Sequence, residues 1–161
     1  MAIWLKFLIL FLLFGFLGLS QGSFLPHFSI MGTTVNLIFI IFFLAVFFEE
    51  PQKYTQGLFS AVIAGFFLSV FSFSFFEKII GCLIVIVFAI KYILFLLRKK
   101  RDKYPIVYFA PLFLLSYIFF NLLITPTCPN FVFLIGAVYN LVIAVFCFYL
   151  CKKFLIKLYG F

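Results

Sequence analysis

The chain has 161 residues, of which 68% are hydrophobic and 30 are Phe, with a formal net charge of +8 and a mean hydropathy of +1.36. Soluble domains use about 45–50% apolar residues, so a water-soluble core cannot absorb this excess and the chain reads as an integral membrane protein. The composition also excludes nucleic-acid binding as the meaning of the positive charge: the cations punctuate apolar runs and would line a lipid headgroup layer, not a groove-shaped patch.

A helix that crosses hydrocarbon needs about 20 mostly apolar residues, because each backbone N–H and C=O must find a partner inside its own segment. In chain order, the runs that satisfy this are residues 2–19, 30–48, 55–76, 79–97, 106–124 and 131–151. The first, in MAIWLKFLILFLLFGFLGLSQGS, also has the lone Lys, the apolar stretch and the small residues of a signal peptide. The short gap to the next run, with no exported domain behind it, favours a retained helix. The expectation is a single all-α domain over residues 1–161, a bundle of six transmembrane helices, or five if the first 20 residues are cleaved.

Between the runs lie SQGSFLPHFS, EEPQKY, EK, RKKRDKYP and TPTCPN, which have the Pro, charge and small polar residues of turns. Short cytoplasmic loops retain Lys and Arg. With the N-terminus inside, the inner face collects Lys6, Lys53, Arg98, Lys99, Lys100, Arg101, Lys103, Lys152, Lys153 and Lys157, and the outer face Lys78 alone. Both termini are therefore expected in the cytoplasm. Lys91 lies about two turns from the inner end of the fourth run, within reach of snorkelling to the interface.

The acids are Glu49, Glu50, Glu77 and Asp102. Glu49 and Glu50 end the second run just before Pro51 and read as solvated loop charges; Glu77 and Lys78 read as a mutually paired turn. His27 is the only His, in a loop beside Pro26, and Cys82, Cys128, Cys147 and Cys151 have no C-x-x-C spacing. Neither a His-containing zinc site nor a Cys–His or Ser–His pair has a second member. No catalytic, cofactor-binding or metal-binding set is expected, and the chain reads as a non-enzyme that needs no cofactor.

Helix packing is written more plainly. Gly57, Ala61, Gly65 and Ser69 recur every four residues, with Ser72 three further on, giving one face small enough for close approach of another helix. Gly136, Asn140 and Ala144 repeat the device in the last run, with Cys147 and Cys151 on an adjoining stripe. Asn36, Asn121 and Asn140 are candidates for hydrogen bonds between helices. Pro111 should kink the fifth run or mark its start.

The order of features resembles the MreD family of bacterial rod-shape-determining membrane proteins. The resemblance rests on the Asn-led NLIFIIFFLAVFF, a short Pro-containing loop, GLFSAVIAGFFLSVFS, the basic loop after the fourth run and the ending YNLVIAVFCFYLCKK. It implies a membrane scaffold of the cell-elongation machinery that works with MreC-like and MreB-like proteins and the peptidoglycan synthases of the side wall. Arg98, Lys99, Lys100, Arg101 and Lys103 would then contact a cytoplasmic partner, or anionic membrane lipid. The rival is a substrate-binding subunit of an energy-coupling-factor vitamin transporter, whose outward polar cavity Tyr117, Asn121, Tyr139 and Asn140 could line.

Overall fold

A computed structural model describes residues 3–23, 25–30, 32–72, 75–97, 105–124 and 131–159. Among these, six α-helices are formed: α1 (Ile3–Ser23), α2 (Leu37–Phe48), α3 (Thr55–Ser72), α4 (Phe76–Leu96), α5 (Pro105–Ile124) and α6 (Phe131–Tyr159). A 3-10 turn, Leu25–Phe28, follows α1. Three segments are long and apolar enough to cross a membrane: α4, α5 and Phe131–Lys153 of α6. Leu8–Ser23, α2 and Thr55–Val70 are apolar but shorter. The protein is thus an all-α membrane protein.

The second helix differs most from its sequence expectation. Residues 30 and 32–36 do not join it: Ile30 and Thr33 exchange backbone hydrogen bonds of 3.0 and 2.9 Å beside Gly32, which sits at a φ of 79°. A left-handed residue favours Gly and interrupts a helix. The helix then starts where Asn36 caps it, its side-chain oxygen accepting the Phe39 N–H at 3.0 Å. Elsewhere the helices α1 and α6 run past their expected ends, to Ser23 and Tyr159; α3 is described to Ser72, residues 73 and 74 of the expected third run lie outside the described residues, and α4 starts at Phe76.

A helix that is hydrophobic on every side belongs in an interior, and α2 occupies one: it packs against each of the other α-helices. Phe39, Phe43 and Phe47, one turn apart, meet a ladder on α5 and α6. The ring centroids are 5.0 Å apart for Phe39–Phe120, 5.1 Å for Phe43–Phe113 and 4.7 Å for Phe109–Phe148. Such aromatic pairs are worth about 0.5–1.5 kcal/mol beyond the area they bury. Much of the Phe excess is therefore a packing material, although Phe66, Phe95 and Phe146 face outward with Leu115, Val138 and Val142.

The small-residue face of α3 lies against α4, the most extensive helix pair of the bundle. Ala61 is fully buried, and a Cβ on Gly65 would collide with the Ile80 side chain. Ser69 is half-buried and turns its hydroxyl to the Phe66 carbonyl at 2.7 Å. Pro111 lies inside α5 on an exposed face.

Candidate functional site

Two polar clusters interrupt the apolar interior, one at each end of α2. At its C-terminal end Glu49 is not the solvated acid that its place before Pro51 suggests. It is 7% exposed, and Lys91 is 0% exposed; their Oε2 and Nζ atoms are 2.8 Å apart. The Lys91 ammonium also donates to the carbonyls of Glu49, at 3.2 Å, and Glu50, at 3.1 Å, so it points into the bundle and does not snorkel. The reason is steric and electrostatic together. The chain leaves α2 in an extended conformation at Glu49, bringing the carbonyls of Glu49 and Glu50, just past the end of the helix, over α4 at the level of Lys91.

The same carboxylate caps α3. Glu49 Oε1 accepts the Gln56 N–H at 2.8 Å and Oε2 the Gly57 N–H at 3.0 Å, satisfying donors that the first turn of a helix leaves free. Gly57 has a specific task here, because a Cβ would stand 3.1 Å from Glu49 Oε2 and 3.1 Å from Val87 Cγ1. One acid thus fastens three helices. Glu50 is exposed and pairs with Lys53 at the surface, at 3.0 Å.

At the N-terminal end of α2, Asn140 of α6 is completely buried. Its Oδ1 accepts the Asn36 N–H at 2.7 Å, and its Nδ2 lies within hydrogen-bond distance of the Tyr117 hydroxyl, 3.0 Å, and of the carbonyls of Gly136, 2.9 Å, and Thr34, 3.3 Å. Asn121 donates to the Tyr117 carbonyl one turn back, at 2.8 Å. Above this network opens a 260 Å³ cleft lined by Gln21, Thr33, Thr34, Asn36, Tyr117, Asn121, Phe133 and Gly136. A Cβ on Gly136 would meet Thr33 Cγ2 at 3.2 Å, so the small residue lets α6 approach the turn before α2. Ala144 is fully buried further along α6.

The other candidates remain apart. His27 is exposed, as are Glu77 and Lys78 in the first turn of α4; the latter two do not pair, since adjacent helical residues point away from each other. Cys82 is buried, Cys147 and Cys151 are half-buried, and all three are free thiols. Among the described residues no group of three or more His, Cys, Asp or Glu could hold a metal ion. Arg98, Lys99, Lys100, Arg101, Lys103 and Cys128 lie outside the described residues.

Sequence reasoning missed the Glu49–Lys91 pair although a signal was present. A lysine inside an apolar helix requires a partner, and Glu49 and Glu50 were the acids at its level. The chain matches no protein-family profile, no curated protein and no solved structure.

Proposed function

We propose that the protein is a non-catalytic, MreD-like scaffold of the bacterial cytoplasmic membrane, a six-span bundle with both termini inside that serves side-wall peptidoglycan synthesis with MreC-like and MreB-like proteins. The supporting observation is how the buried polar groups are used. Glu49, Lys91 and Asn140 tie helix to helix, as a rigid platform requires. Two residues that carry the resemblance, Asn36 and Asn140, are direct partners.

The test uses the basic loop. Replacing Lys99, Lys100 and Arg101 by Gln leaves Arg98, Lys103 and the C-terminal lysines to hold orientation. At normal abundance and topology, cells with this variant should round up and lose co-purification of MreC- or MreB-like partners. Reporter fusions at Lys100 and after Phe161 should read cytoplasm and one at Thr127 the outside; an external signal at Lys100 sinks the topology.

The cleft above Asn140 favours a second reading, the vitamin-binding transporter subunit. At 260 Å³ it falls below the roughly 300–1,000 Å³ of small-molecule pockets, which ranks that reading second. Deletion of the gene that abolishes vitamin uptake and spares cell shape would reverse the order.

A further inference from the structure

We infer that the polar cleft and the apolar groove beside it form one binding site for a membrane lipid whose head group is uncharged and rich in oxygen. The groove, of 410 Å³, is lined by Ile30, Phe131, Leu134, Ile135, Val138 and Tyr139. It adjoins the cleft through two shared elements. Ile30, in the groove, and Thr33, in the cleft, pair through their backbones, and on α6 the groove residue Tyr139 stands three residues, one turn, from the cleft residue Gly136. A polar chamber and a greasy channel, one helical turn apart, match the two halves of an amphiphile.

The chemistry of the cleft defines the head group. None of its lining residues is Asp, Glu, Lys, Arg or His. The Gln21 side-chain oxygen accepts the Ile38 N–H at 3.4 Å, and that of Asn36 accepts the Phe39 N–H. Each carboxamide is left with its NH₂ group free of any partner among the described residues, and the Thr34 hydroxyl is free in the same sense. These are spare donors without a formal charge. They suit ester carbonyls and hydroxyls; a phosphate buried there would lack a cation to compensate its desolvation. A water-soluble solute of the same polarity would make no use of the groove, whose Leu134 and Val138 are exposed. An acylglycerol or glycosylated acylglycerol satisfies both halves.

The experiment places the full-length protein in nanodiscs of phosphatidylethanolamine and phosphatidylglycerol doped with a diacylglycerol that carries a diazirine on one acyl chain. Photolabelling is expected to map to residues 131–139 and to exceed labelling by a phosphatidylglycerol bearing the same diazirine. Thr34→Val, which keeps the shape and removes the hydroxyl, should lower diacylglycerol labelling about fivefold, the effect of one lost hydrogen bond; Thr34→Ser should restore it. Gln21→Glu keeps an acceptor for the Ile38 N–H, replaces the spare donor and should lower labelling similarly. Val138→Trp should block the chain at unchanged monodispersity. Equal labelling by the two lipids, or labelling indifferent to Thr34→Val, would identify ordinary boundary lipid and overturn the inference. Displacement of the probe by glycerol alone would overturn it in favour of a soluble ligand.

Discussion

Replacing Lys91 by Met removes a charge from the interior and leaves its partner behind. At 2.8 Å and an effective dielectric of about 20, the attraction between the two groups is about 6 kcal/mol, offset largely by the cost of taking both from water. The substitution keeps that cost for Glu49 alone. Its carboxylate retains only the Gln56 and Gly57 N–H groups, and the Glu49 carbonyl loses the ammonium donor. Breaking a buried pair from one side costs about 3–5 kcal/mol. For a chain of this length about 2–4 °C accompanies each kcal/mol, so the expected loss is about 6–20 °C. The assay is the temperature at which half of the monodisperse protein in detergent is lost, read by size exclusion after heating. Adding Glu49→Gln to Lys91→Met should recover part of the loss, because no uncompensated charge remains. A Lys91→Met protein that melts with the parent would show that the pair is solvated in the membrane protein and that the argument from burial is wrong.

Gly65→Leu should cost about 1–3 kcal/mol or more by forcing α3 from the Ile80 side chain, whereas Phe66→Leu, at a position 46% exposed, should leave the melting temperature within a few degrees of the parent; equal melting of the two would remove the basis for calling that face a close crossing. Asn140→Leu should destabilise by about 1–3 kcal/mol, since it strands the half-buried Asn36 N–H, and hydrogen exchange at that amide should rise with it. Unchanged protection there would mean that water or another group replaces the Asn140 oxygen.

The helices were legible because Pro, charge and small polar residues break the apolar runs. Their ends were less so. Residues 30–36 were read as the start of the second span, although Gly32, Thr33, Thr34 and Asn36 make them less apolar than the rest of it; the left-handed Gly32 and the Asn36 cap delay the helix. Which face of each helix looks inward was mostly illegible, and the cause is the solvent. In water an interior face is apolar and an exposed one polar, but in lipid both are apolar, so α2 and the outward side of α5 carry the same residues. Small residues escape this ambiguity, because close approach is useful only against another helix; Gly57, Gly65 and Gly136 could be read for that reason. The Glu49–Lys91 pair could not be placed from spacing, since its partners are separated by 42 residues and depend on how α2 and α4 lie together.

That separation also bears on how the protein enters the membrane. The chain is made from its N-terminus, so α2 and Glu49 are complete well before Lys91 emerges. Until then the carboxylate has only the first turn of α3 to hold it. A lysine at the centre of an isolated helix costs about 2.5–3.5 kcal/mol to insert; Lys91 lies nearer the end of α4 and costs less, but α4 meets that cost unless Glu49 is already waiting at the right depth. The acid therefore acts as a receptor for a helix not yet synthesised, and α2, α3 and α4 are expected to enter as a coupled set. Insertion of α4, followed by glycosylation mapping of a chain ended at Leu97, should drop when Glu49 is changed to Gln. The short turn after α2 would then serve biogenesis first, and the finished bundle would keep the resulting ion pair as its lock.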